Sequence, residues 1–317
     1  MAKAVEIPVY LFTGFLEGGK TRFIRETLED KKFNAGEHTL LVLCEEGEEE
    51  YDLSHPLMKN VHILPIESEE ELTAEKLGEW QKIHRVDRVV IEYNGMWLLQ
   101  RLYEQMPQGW MIYQEVMLAD YNTFLSYNTN MRSLMVDKLT SCEMVLLNRA
   151  PVGADKMEIH KVIRGVSRRT DIGYDYLDGS FGYDEIEDPL PFDINAPVIE
   201  IGDNDFAVWY RDLTEEMEKY QGKTVRFKGR VVTKHRSLKN CFVCGRHVMT
   251  CCVEDITFAG LLCTGGNPKT LRDDQWIELT AKVAIKHNRV YNKKGPVLNV
   301  IDIQPGTAPA EEVATFY

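Results

Sequence analysis

From residue 9 to about 165, short apolar runs alternate with stretches of helical periodicity. Residues 9–12, 38–44, 88–92, 110–118 and 143–147 are apolar runs of strand length. In the run at 38–44, residues 40–44 are continuously apolar instead of alternating, the pattern of a strand buried on both faces. Between these runs, residues 21–28, 69–83, 96–105 and 123–139 carry apolar positions at helical spacing. Such alternation predicts a parallel sheet flanked by helices. From 174 to about 202 the pattern breaks into acids, glycines, prolines and aromatics, which predicts an extended connection, and a short helix is expected over 210–220. After Gly222 the period changes to two. Residues 224–232, 276–284 and 297–303 alternate, and with the segments around 242–251 and 256–262 they predict five short strands, a closed or half-open barrel of OB type. The expected organisation is an α/β domain over 1–173, an acidic linker with a short helix over 174–221 and an OB-like all-β barrel over 222–317. No internal repeat is visible.

Charge sharpens this division. The 317 residues carry a formal net charge of −13. From Gly222 onward there are 15 Lys and Arg against 8 Asp and Glu, a net of +7, which leaves −20 for the rest. The acidic part argues against nonspecific nucleic-acid binding by the whole chain, and nucleic acid is disfavoured as a partner. No apolar run reaches the roughly 18 residues of a membrane-spanning helix. The first residues carry no apolar signal core, so a cytoplasmic protein without membrane insertion is expected. Five of the seven cysteines fall between Cys241 and Cys263, which in that setting points to thiolate or metal chemistry before disulfides.

The sequence G-F-L-E-G-G-K-T at 14–21 satisfies the P-loop pattern and stands between a predicted strand and a predicted helix, the context the pattern requires. Gly14, Gly18 and Gly19, with Glu17 among them, let backbone N–H groups curl around phosphates, and the helix opening at Lys20, Thr21 and Arg22 adds positive potential. Lys20 is expected to bridge terminal phosphates and Thr21 to offer its hydroxyl to Mg²⁺. V-V-I-E-Y-N-G at 89–95 supplies the acid that such a site needs. Glu92 is expected in the Mg²⁺ shell, with the Gly95 amide at a terminal phosphate.

With these motifs the first 170 residues resemble the CobW-type GTPases, a metallochaperone-like family of P-loop proteins. The family's G-F-L-G-x-G-K-T-T is matched by G-F-L-E-G-G-K-T from Gly14, its E-T-S-G by E-Y-N-G at 92–95, and its N-E-F-G switch by C-E-E-G at 44–47, with Asp52 at the family's Asp offset. The resemblance implies a Mg²⁺-dependent GTPase, with Lys20, Glu45 and Glu92 catalytic and Glu45 orienting water. Two departures matter. The family's Cys-x-Cys-Cys metal motif is missing, since residues 61–82 contain no cysteine. The guanine-reading N-K-x-D becomes N-R-A-P: Asn148 matches, the stem of Arg149 can still cover the base, the acid is missing, and Asp155 comes four residues late unless the loop bulges. Weakened guanine selection, with ATP as the alternative nucleotide, is the expectation. A substitute metal site from the acidic run at 45–50 with Cys44, His55 and His62 competes with a solvated acidic loop.

In the C-terminal part, Cys241, Cys244, His247, Cys251 and Cys252 are ligand types that Zn²⁺ takes in tetrahedral sites. The alternatives are cysteines packed in a barrel core and a redox pair of Cys241 and Cys244. The pattern R-x-x-x-x-C-C-x-x-D from Arg246 to Asp255, with its flanking strands, resembles the C-terminal domain of an uncharacterised family often encoded beside a predicted permease. Together these readings make the expected function GTP (or ATP) binding and hydrolysis coupled to zinc handling, with a client metalloprotein or permease as partner. Two competitors stand: an OB-fold binding module using a basic groove with aromatic platforms, and a P-loop scaffold that binds nucleotide without turnover. The oligomeric state is left open.

Overall fold

The computed structural model describes residues 6–45, 47, 51–233, 241–250, 256–288 and 290–316. The chain divides into two compact units, Met1–Ile186 and Glu187–Tyr317. The stretch 174–221, expected as a linker, is shared between them. Its first part completes the sheet of the first unit, and its second part supplies a strand and a helix of the second.

The first unit is an eight-stranded sheet in the order β3-β2-β4-β1-β5-β6-β7-β8. The strands are β1 (Ile7–Thr13), β2 (Thr39–Leu43), β3 (Val61–Pro65), β4 (Arg88–Glu92), β5 (Trp110–Asp120), β6 (Met144–Ala150), β7 (Asp171–Tyr176) and β8 (Phe181–Tyr183). All pairs are parallel except β7–β8, which is an antiparallel hairpin at the edge. Helices α1 (Lys20–Leu28), α2 (Ala74–His84), α3 (Leu99–Gln105), α4 (Phe124–Asn130), α5 (Arg132–Ser141) and α6 (Met157–Val166) connect them. The apolar run of β2 is buried from Thr39 to Val42 because β3 and β4 flank it and side chains on both faces enter the core. Strand order reverses around β1, whose neighbours are β4 and β5. In an open α/β sheet, ligands bind at the carboxyl ends of strands at that reversal. The short β3 escapes the sequence pattern because only two of its five residues are buried.

In the second unit, β10 (Thr224–Val232), β11 (Cys241–Val248), β12 (Thr257–Thr264), β13 (Trp276–Asn288) and β14 (Lys293–Pro305) close a five-stranded barrel in the order β11-β12-β14-β13-β10, with β10 pairing back to β11. The short strands β9 (Ile199–Glu200) and β15 (Val313–Ala314) extend its ends. Val225, Phe227 and Val231 alternate inward from β10, and Ile277, Leu279, Ala281 and Val283 from β13. Helix α7 (Phe206–Glu215) lays Phe206 and Trp209 against Phe227. Phe227 and Phe242 are core residues, so neither serves as a platform for a nucleic-acid base. Among the described residues no helix is long and apolar enough to cross a membrane.

Arg246 is the barrel's one fully buried charged side chain among the described residues, 1% exposed. Its guanidinium donates to the carbonyls of Asp203 and Glu311, both at 2.6 Å, with Phe206 and Trp276 rings nearby. It thereby ties the loop before α7 and the segment leading into β15 to the barrel wall. We expect Arg246→Met to strip donors from two carbonyls and lower the barrel's stability by about 2–3 kcal/mol. Urea unfolding checks this; an unchanged midpoint would mean the ties carry no weight.

Candidate functional site

Between β1 and α1 the chain turns through Gly14, whose φ is +121°. A Cβ there would stand 1.9 Å from the Leu118 carbonyl oxygen, so only glycine passes over β5. Glu17 also holds a left-handed φ of 61°, where a non-glycine residue stores strain. Lys20 opens α1 and is 3% exposed. Its ammonium donates to the carbonyls of Gly14 at 2.8 Å and Phe15 at 2.9 Å, and its remaining direction is taken by the Glu45 carboxylate at 2.6 Å. The loop is thus wrapped around its own lysine.

Thr21 donates its hydroxyl to Glu92 Oε1 at 2.7 Å, and the Tyr51 hydroxyl donates to Glu92 Oε2 at 2.5 Å. Burial pushes the Glu92 carboxyl above its ordinary range, against hydrogen bonds from Tyr51 and Thr21 and the charge of Lys20 that hold it down. A hydroxyl and a carboxylate in contact form a hard-oxygen donor set, which fits Mg²⁺. Gly95 presses on the loop: a Cβ would lie 2.7 Å from Gly14 O and 2.8 Å from Phe15 Cα. The loop after Gly95 is fastened from behind by the fully buried Lys138, which donates to Trp97 O at 2.6 Å and pairs with Asp137 at 2.7 Å. Asp137 in turn accepts from Leu99 N at the start of α3.

From β6, Asn148 donates to Gly18 O at 2.5 Å, and Arg149 donates to Asp120 and to the Glu17 carbonyl. Both residues therefore brace the P-loop. Asp155 is used elsewhere. Its carboxylate accepts from Met157 N at the start of α6, and its carbonyl accepts from Tyr121. The assembled cleft has a volume of about 680 Å³, with Gly19, Lys20, Thr21, Arg22, Glu45 and Glu92 on its walls. Glu17 and Arg149 also line it, and Gly14, Gly18, Gly95 and Asn148 adjoin it through the contacts above. Tyr51 and Asp120 were missed in the sequence reading. Tyr51 stands one position before the Asp52 that the switch comparison singled out, and Asp120 ends an apolar strand, so only pairing to Glu92 and Arg149 identifies them.

Two metal readings are corrected by the geometry. Cys44 is buried, and its thiol is pushed far up by burial and by Glu92. His62 instead lies near the start of β3, level with Leu40 and four residues short of Cys44. Its ring stacks 4.0 Å from that of His84, and its Nε2 is 3.4 Å from His38 Nδ1. Cys44 and His62 thus share no site; of the acidic run, Glu46 and Glu48–Glu50 lie outside the described residues. Of the zinc set Cys241, Cys244, His247, Cys251 and Cys252, the first three do not come together, because all three sit on the single strand β11 and not on one turn. At about 3.3 Å per residue and with side chains alternating, Cys241 and Cys244 are about 10 Å apart on opposite faces, as are Cys244 and His247. Ligand atoms on one tetrahedral ion lie only about 3.5–4 Å apart. Cys244 and Cys263 pack in the barrel core with thiols pushed up by burial, while Cys251 and Cys252 lie outside the described residues. Among the described residues no group of three His, Cys, Asp or Glu is placed to hold a metal ion.

Comparison with known proteins places these observations. Residues 183–313 match the family described as the DUF1980 C-terminal domain, in line with the resemblance of the C-terminal part to an uncharacterised domain. The Zn(II)-bound YjiA GTPase from E. coli is similar in structure at 20% identity, covering 53% of this chain and 57% of that one, with a TM-score of 0.40. The hydrogenase maturation factor HypB from Archaeoglobus fulgidus is similar at 14% identity, covering 55% and 82%, with a TM-score of 0.38. A curated protein, the pre-mRNA-splicing factor SYF1 of Debaryomyces hansenii, is 30% identical over 95 residues, 28% of this chain and 11% of its own length. The chain therefore spans only about a tenth of that relative, and likenesses this distant carry no conclusion about activity.

The contact of Gly95 with the P-loop is testable on its own. Gly95→Ala should force the two loops apart and cost about 1–3 kcal/mol, as overpacking does. Thermal or urea unfolding measures it, and a variant as stable as the parent would show that the loops do not bear on each other.

Proposed function

We propose that the first unit binds a Mg²⁺-nucleoside triphosphate, GTP before ATP, in the P-loop cleft and hydrolyses it. One observation carries the reading. The ammonium of Lys20 is buried, aimed into the cleft, and satisfied on its third side only by Glu45, a side chain that a phosphate oxygen can replace. Loop N–H groups and the N-terminus of α1 meet the phosphate charge. Thr21 and Glu92 would hold Mg²⁺, which supplies charge neutralisation on the transferred phosphoryl group. Glu45, released from Lys20 when phosphate arrives, is left beside the terminal phosphate, where its carboxylate orients water. The same exchange displaces the Glu45 side chain, and Gly95 senses the phosphate from the other side. The nucleotide cycle is thus proposed to act as a switch.

Coupling of that switch to zinc, and its delivery to a client metalloprotein or permease, finds no ligand set among the described residues. The proposal therefore rests on the nucleotide. Equilibrium binding of a fluorescent GTP analogue with Mg²⁺ tests it. Lys20→Ala should abolish binding while remaining folded. Glu45→Gln should bind several-fold more tightly, because the competitor for Lys20 is gone, and turn over more slowly. Unchanged affinity in folded Lys20→Ala would sink the reading.

The role of Glu92 has a pH signature. Its charged form holds the cation, and burial raises its pKa, so Mg²⁺-dependent binding should begin to fall with acidification above the pH at which an ordinary glutamate titrates. Tyr51→Phe removes a hydrogen bond that favours the charged form, which raises the pKa further and moves the falling limb to higher pH. A limb that stays in place in Tyr51→Phe would remove Glu92 from the cation shell.

A further inference from the structure

The P-loop cleft continues into a second cavity of about 570 Å³, and Gly19, Arg22 and Arg149 line both. Asn148 lies on its inner wall, Phe23 and Glu26 of α1 on one side, and Asp175, Phe181 and Tyr183 of the β7–β8 hairpin on the other. Antiparallel register pairs Asp175 with Phe181 and Gly173 with Tyr183. Paired and alternate residues share a face, so these four make one surface of the hairpin. Gly173 leaves room on that surface: a Cβ there would meet the Phe181 ring at 2.9 Å. Phe181 and Tyr183 pack edge to face at 5.0 Å yet remain 51% and 56% exposed. The hairpin is held by its own turn, where Asp178 accepts from Ser180 N at 2.9 Å and from its hydroxyl at 2.6 Å. Among the described residues no hydrogen bond or ion pair takes up the Asp175 carboxylate.

A cavity that opens from a phosphate cleft and offers two uncovered aromatic rings and an unpaired carboxylate has the chemistry of a nucleobase site. We propose that this cavity holds the base of the bound nucleotide and that Asp175 selects guanine. The proposal rests on the triphosphate reading of the P-loop cleft. The acid that could follow Asn148 and Arg149 in sequence is absent: position 151 is proline, and Asp155 is committed to α6. Asp175 reaches the same neighbourhood from the adjacent strand, since Ala150 pairs with Tyr176. A carboxylate accepts both the N1–H and the N2–H of guanine. Adenine turns a lone pair at N1 toward it and is rejected, because a site built to pair donors loses affinity when they are missing. The aromatic pair supplies the flat apolar surface, and Arg149, braced at Asp120 and Glu17, sets the floor.

The test is competition of GTP, ATP and xanthosine triphosphate against a fluorescent triphosphate, with Mg²⁺, on the full chain. The parent should prefer GTP over ATP by at least tenfold. Asp175→Asn should lose at least tenfold in GTP affinity with little change for ATP. It should also gain for xanthosine triphosphate, whose O2 accepts from the amide where guanine's N2 would donate. Phe181→Ala should weaken all three. If Asp175→Asn changes none of the three, or weakens all equally, while Lys20→Ala still abolishes binding, the inference fails and the phosphate reading stands. If Lys20→Ala binds normally, the phosphate reading itself fails. Should Asp175→Asn not fold, Phe181→Ala decides the base site alone, and unchanged affinities there overturn it.

Discussion

A buried ammonium must be paired in full, and the satisfaction of Lys20 organises the first unit's functional end. Two of its donors close the loop on the carbonyls of Gly14 and Phe15, and the third reaches Glu45 after β2. The loop shape that makes this closure possible depends on Gly14 crossing the Leu118 carbonyl and on Gly95 approaching without a side chain. Asn148 and Arg149 then hold the loop from the opposite side. Five strands, β1, β2, β4, β5 and β6, contribute to one cage because their carboxyl ends converge where strand order reverses. Burial raises the cost of leaving any of these groups unpaired, which makes the arrangement specific.

The same economy of buried charge recurs away from the cleft. Lys138 spends its ammonium on Trp97 O and Asp137, and Asp137 also receives Leu99 N. Burial pulls the Lys138 pKa down, and the Asp137 carboxylate opposes that. The pair anchors the loop carrying Gly95 to α5, so the contact between that loop and the P-loop has a fixed point within a few residues. In the barrel, Arg246 does equivalent work on carbonyl oxygens alone, at Asp203 and Glu311. A guanidinium with several donors can gather loops distant in sequence, which a carboxylate, accepting only, cannot do with carbonyls.

Cysteine placement in the barrel shows how spacing and geometry part company. The spacing of Cys241 and Cys244 reads as a chelating pair only if the backbone turns between them. In β11 it runs straight, because Gly245 opposite Gly260 and Arg230 continues a regular ladder. One sulfur is then directed to the core and the other away from it. The three histidines at positions 38, 62 and 84 show the converse. They are remote in sequence, and the edge of the sheet stacks them.

Local patterns were sufficient for much of this protein. The P-loop from Gly14 to Thr21, the strand ending at Glu92 and the alternation of β10 and β13 follow from spacing over a few positions, since backbone period and steric demands act at that range. The division of labour between residues remote in the chain does not. Tyr51 on Glu92, Asp120 on Arg149, Glu45 on Lys20 and the placing of Asp175 in the cavity beside the P-loop cleft depend on which strands lie side by side and on the unexpected β7–β8 hairpin. Strand order is settled by the packing of the whole sheet, and no short window of sequence carries it. The sequence therefore determined which groups could do chemistry, and the tertiary structure decided which of them meet.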